Sequence, residues 1–263
     1  MEGNKTLSKT AKERHRLAFR KMHSGTPSEL ASAEGHRSGG QSGTFRAAVF
    51  GINDGLVSNL SLIMGVAGAS ADSRFVLLAG VAGLLAGAFS MAAGEYVSMS
   101  AQRELFENEI AIERRELAED PQGERKELEL IYESKGLPED AATKLASRMM
   151  SDPAVALDTH VREELGLDPK KLGSPWGAAF SSFGAFIAGA IIPVAPYLFC
   201  SGRTAFMASL MLSGLALPGV GTAISSFTGR SRLLSAARML FIGALAAAIT
   251  YLVGRTAGVS AGL

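Results

Sequence analysis

Three sets of residues in this chain have the types and spacing for metal chemistry, and all three rest on carboxylates. Asp54 stands inside the apolar run "FRAAVFGINDGLVSNLSLIMGVAGA", residues 45–69, where an ionised side chain costs about 2.5–3.5 kcal/mol on insertion scales. No Lys or Arg lies within a helical turn of it, so it must meet water, a cation or a proton. In the next apolar run Gly83, Gly87, Met91 and Glu95 recur every fourth residue and share one helix face. Hard carboxylate oxygens beside a soft thioether suit a borderline first-row divalent ion better than sodium or magnesium. An aspartate in such a site can alternate between metal and proton.

The third set lies in a polar stretch. Glu113 pairs with Glu116 and Glu124 with Glu127, and three-residue spacing makes both members of a pair neighbours on one helical surface. Two such helices meeting would surround a cation with four oxygens, and Glu164 would add a fifth. The same text also reads as a solvated face, because "ERRE" and "ERKE" mix acids with bases. Likewise the glycine faces fit helix packing alone, and Met91 fits gap filling. His160 is open between a ligand and a surface histidine. The Glu-x-x-His motif of di-iron bundles and an EF-hand loop are both missing. The single Cys200 rules out an internal disulfide and a multi-cysteine metal site.

The elements that must position these residues follow from composition. The 263-residue chain is 47% hydrophobic with 30 glycines, and apolar stretches run over 45–69, 75–100, 176–199, 204–228 and 233–257. Each is long enough to cross a hydrocarbon core of about 30 Å as a helix, and no strand-like alternation recurs, so five transmembrane helices are predicted rather than a barrel. Residues 103–174 hold 18 of the 25 acidic groups and 11 basic ones. This block reads as a separate, water-facing, all-helical domain whose acidic surface argues against a nucleic-acid partner. The second span should continue as one helix to Pro121. Asp120-Pro121 and Asp152-Pro153 then read as cap and first-turn signals for helices ending near Gly136 and Gly166, with another over about 138–151 between them. Pro193, Pro196 and Pro218 should kink the third and fourth spans.

Residues 1–44 lack the apolar core of a cleavable signal peptide and are expected to form a disordered tail. The domain order is thus 1–44 tail, 45–102 first two spans, 103–174 acidic domain and 175–263 last three spans. Nine of the 26 basic residues fall in the first 46 positions and eleven in the acidic block, whereas Arg74, Arg203 and Arg255 mark the other side. The bias places the N-terminus and the acidic domain in the cytoplasm.

The runs "GINDGLVSNLSLIMGVAGA", "AGAFSMAAGEYVSMSAQRE", "IERRELAEDP", "HVREELGL" and "AFIAGAIIPVAPYL" resemble the vacuolar iron transporter family, from about Phe45 onward. The resemblance implies an all-α membrane protein with five transmembrane helices and a cytoplasmic helical metal-binding domain between helices 2 and 3. It also implies a homodimer with the ion path between subunits, and export of Fe2+ and often Mn2+ from the cytosol in exchange for protons. Asp54 and Met91 would then be path ligands, Glu95 would sit near the entrance, and Glu113, Glu116, Glu124, Glu127 and Glu164 would be the soluble ligands. Where iron-binding family members can carry a methionine pair, this chain has His160 and Val161.

The resulting expectation is a metal/H+ antiporter in the lipid bilayer with no prosthetic group, Fe2+ or Mn2+ being its cargo. A bacterial inner membrane is expected, or a vacuolar membrane in a eukaryote. The alternative is a membrane-anchored iron buffer or sensor without transport. A ferroxidase is disfavoured by spans without histidine, and no enzymatic activity is expected.

Overall fold

The computed structural model describes residues 41–261; the expected tail over 1–40 lies outside the described residues. Eight helices follow in order: α1 Gln41–Ala69, α2 Ser73–Glu119, α3 Pro121–Ser134, α4 Glu139–Met149, α5 Pro153–Glu163, α6 Pro175–Phe199, α7 Gly202–Thr228 and α8 Arg232–Ala261. No strand occurs among the described residues. The all-α reading and its five spans are borne out, since α1, α2, α6, α7 and α8 are each long and apolar enough to cross a membrane. At 47 residues α2 is about twice the length a hydrocarbon core requires. The chain divides into two compact units, one comprising residues 40–102 and 173–263, the other containing residues 103–172.

In the membrane unit, small residues let α1 and α6 cross closely. Gly51 and Gly55 are buried on one face of α1; a Cβ on Gly55 would run into the Phe186 carbonyl, and one on Gly189 of α6 into the Ile52 carbonyl. This reciprocal contact is the small-xxx-small packing expected between helices in lipid. A core of Leu56, Leu60, Ile63, Met64, Val194 and Leu217 continues it toward the other end. Asn59, buried on α1, donates its amide to the carbonyls of Gly80 on α2 (3.2 Å) and Ala190 on α6 (2.9 Å). One side chain thereby ties three helices where water cannot compete.

Pro193, Pro196 and Pro218 lie inside α6 and α7, each removing one backbone donor. Ser209 on α7 donates to the Pro193 carbonyl at 2.7 Å. At the end of this unit where α6 begins, Trp176 packs between Tyr96 and Phe180, with ring centroids 4.8 and 5.7 Å apart. Amphipathic rings are favoured at a membrane–water boundary.

The second unit is built on amphipathic helices. Asp120 accepts from the Gly123 N–H at 3.0 Å, with Pro121 at the first helical position; Asp152 accepts from the Ala154 N–H at 2.8 Å, with Pro153 in the same role. The caps fix where α3 and α5 begin and hence which side chains face inward. Leu128 and Tyr132 of α3 meet Ala142 and Ala146 of α4 in its small apolar core.

Candidate metal centre

Glu124 occupies the same α3 stripe as Leu128 and Ile131, and all three are buried. Glu127 sits about 60° further round the helix and is only half-buried. On α5, Ala156 and His160 are buried one turn apart, and Glu164 follows one turn later as the C-cap residue. On α2, Glu113 is buried, while its pair partner Glu116 is half-buried. Three helices thus direct polar side chains into an interior their apolar neighbours have closed to water.

The four buried groups converge. Glu113, Glu124, His160 and Glu164 each offer one ligand atom, all within 4.8 Å of one another. With metal–donor bonds of about 2.0–2.4 Å, two donors on one ion stand at most about 4–4.8 Å apart, so the group needs little contraction to close on a cation. His160 Nδ1 lies 3.2 Å from Glu113 Oε1 and 3.6 Å from Glu164 Oε2. These are ion-pair distances without aligned hydrogen bonds, and Nε2 is buried with no hydrogen-bond partner.

Electrostatics describe the same strain. Burial pushes the Glu124 carboxyl up to about 7, helped by Glu113, Glu127, Glu116 and Glu164. For His160 burial favours the neutral ring, but the carboxylates of Glu113 and Glu164 outweigh it and raise the imidazole to about 9. At neutral pH a proton therefore does part of what a cation would do: it offsets negative charge gathered in a dry place. Three carboxylates and one imidazole form a donor set suited to borderline first-row divalent ions. Outside the quartet, Arg162 bridges Asp158 (2.8 Å) and Asp168 (3.0 Å), and Lys135 pairs with Glu163, fastening the chain on either side of Glu164.

The five sequence-assigned glutamates do not play one part. Glu113, Glu124 and Glu164 come together; Glu116 and Glu127 stay outside the quartet but contribute charge to Glu124. His160, left open between ligand and surface, is completely buried and supplies the nitrogen. Its signal was present in the sequence: it shares a stripe with Ala156 and precedes Glu164 by one turn.

In the membrane unit Asp54 is exposed, Met91 packs beside Leu84, Ala88 and Phe186, and Glu95 is half-buried. Among the described residues neither carboxylate belongs to a group of three or more His, Cys, Asp and Glu ligands.

Five apolar helices accompanied by a polar helical unit with a buried acidic cluster define a polytopic helical membrane protein. Residues 45–255 match the sequence model of the VIT family, and the chain belongs to that family. It is 37% identical over 216 residues to the vacuolar iron transporter of Acanthamoeba castellanii, covering 82% of this chain and 79% of that protein. Vacuolar iron transporter 1 of Arabidopsis thaliana is 32% identical over 207 residues, 78% of this chain and 83% of that protein. Vacuolar iron transporter 1 of Oryza sativa subsp. japonica is 34% identical over 211 residues, 78% and 82%.

Proposed function

We propose that this protein transports ferrous iron, and manganese with it, out of the cytosol across its membrane in exchange for protons. Family membership supports iron as cargo, the named relatives being iron transporters. The observation that carries the reading is the buried quartet Glu113, Glu124, His160 and Glu164 in a chain with five apolar helices. The polar unit, on the cytoplasmic side by its charge pattern, gathers the ion; Asp54 and Met91 pass it, with Glu95 near the entrance. Metal arriving at the quartet displaces protons, because only deprotonated carboxylate and neutral imidazole bind a cation. A homodimer supports the membrane step: Asp54 is exposed on one protomer, and a charge facing lipid is costly, so a second copy enclosing a hydrated path would house it.

Proteoliposomes with an acidic interior test this reading. Fe2+ or Mn2+ uptake should grow with the pH gradient and collapse when a protonophore dissipates it. Flux indifferent to the protonophore would reject proton exchange. Metal binding with no flux would favour a membrane-anchored buffer.

A further inference from the structure

The buried quartet holds three oxygen donors and a single nitrogen, and the nitrogen separates ions that carboxylates alone would hold alike. His160 is the one histidine after position 36 in the sequence. It is completely buried, neither ring nitrogen has a hydrogen-bond partner, and Nδ1 stands 3.2 Å from Glu113 Oε1 and 3.6 Å from Glu164 Oε2. An imidazole without an aligned hydrogen bond, turned to carboxylates in a dry interior, is presented as a donor rather than spent on holding the fold. α5 fixes that direction: Asp152 caps its start, and Ala156, His160 and Glu164 follow one another at single-turn spacing on its buried side.

Two properties of the site act against manganese. The first is donor type, because imidazole suits zinc, iron and nickel, whereas carboxylate, carbonyl and water suit manganese. The second is donor number. Glu113, Glu124, His160 and Glu164 bring four ligand atoms within 4.8 Å of one another, the count of a tetrahedral zinc-type site, whereas manganese favours an octahedral oxygen shell. Glu116 and Glu127, which could enlarge the oxygen count, are half-buried and outside the quartet. An all-oxygen site already ranks zinc above manganese by the general order of divalent affinities; the nitrogen widens that gap. We propose that His160 sets the selectivity of the quartet, ranking nitrogen-seeking ions such as Zn2+, Co2+ and Fe2+ above Mn2+. This selectivity presupposes that the quartet gathers the ion for transport. Zinc and cobalt then compete with iron for the site, and manganese occupies it only where they are scarce.

Calorimetry on the full-length protein in detergent, with Zn2+, Co2+ and Mn2+ titrated separately at one pH, supplies the test. The protons displaced at the quartet are then common to every ion and cancel in the ratio of affinities. His160→Asp exchanges the nitrogen for an oxygen and leaves His15, His23 and His36 in place. The preference for Zn2+ over Mn2+ should fall by about tenfold or more, through weaker Zn2+ binding, while Mn2+ affinity holds or rises. A merely structural role for His160 would weaken every ion together and leave the ratio unchanged. The visible bands of bound Co2+ give a second readout: they should be intense in the wild type, as four-coordinate cobalt gives, and should shift and weaken in the variant. His160→Asn, which adds no charge to the interior, decides if His160→Asp fails to fold, and its ratio should fall in the same direction. An unchanged ratio in a folded variant that still binds metal overturns the role of His160 and leaves the gathering role of the quartet standing. Absence of any wild-type binding that Glu124→Gln weakens removes the gathering role, and the selectivity with it.

Discussion

In the unit containing residues 103–172, four ionisable donors turn inward and lose contact with water; in the membrane unit the carboxylate deepest in an apolar run, Asp54, turns outward. The first arrangement is complete within one chain, its donors already grouped within 4.8 Å. The second is not, because Met91 is packed among Leu84, Ala88 and Phe186 while Asp54 faces away from its own bundle. The difference separates two tasks. A buried, crowded quartet is suited to holding an ion, whereas a carboxylate that one protomer leaves uncovered is suited to a path formed with a second.

The comparison breaks most sharply at Asp54. Asp54→Ala should abolish metal flux in proteoliposomes while leaving equilibrium binding at the quartet, measured by calorimetry on the same preparation, unchanged. The variant should still elute as the wild-type assembly, since Asp54 lies beside rather than within the Gly51–Gly55 face that meets α6. Flux at wild-type level would remove Asp54 from the path and leave the membrane unit without its charged ligand.

A reciprocal variant tests the other side. His160→Ala removes the nitrogen ligand together with the cation that balances Glu113 and Glu164, and should weaken binding at the quartet by about 10–100-fold, in the range seen when the groups supporting a metal site are removed. It should also lower the apo melting temperature, because uncompensated buried charge is strongly destabilising. Unimpaired binding by calorimetry would return His160 to a packing role.

Much of this contrast was legible before any coordinates. Apolar run length marked all five membrane helices, and Asp-Pro marked the starts of α3 and α5, because capping and span length are local physics. Which glutamates would converge was less legible. Spacing made Glu113 equivalent to Glu116 and Glu124 to Glu127; the distinction came from position relative to Leu128 and Ile131 on α3, a stripe the pairing argument did not consult. His160 was harder still, since burial of a lone histidine depends on the helices that close over it. The outward direction of Asp54 depended on which α1 face the glycines gave to α6.

Acidity sharpens the holding site by smaller steps. With Glu124 raised to about 7 and His160 to about 9, and burial raising Glu113 as well, apo protein carries protons on both Glu124 and His160 below pH 7, and of these two only His160 keeps its proton between 7 and 9. Metal must displace them, so calorimetric affinity should rise about tenfold per pH unit from 7 to 9 and more steeply below 7. Apo stability runs the opposite way. A folded-state pKa above the unfolded value stabilises below the unfolded value and loses that benefit as pH rises through the folded one. The Glu124 contribution therefore fades between about 4.5 and 7, and that of His160 between about 6.5 and 9. Glu124→Gln should weaken metal binding near pH 8 by about tenfold, as loss of one charged ligand implies. It should also flatten the affinity slope below pH 7 to that seen above it, and raise apo stability at pH 8 by removing a crowded negative charge. A variant that kept the steep acid limb would show that the second displaced proton belongs to another member of the quartet.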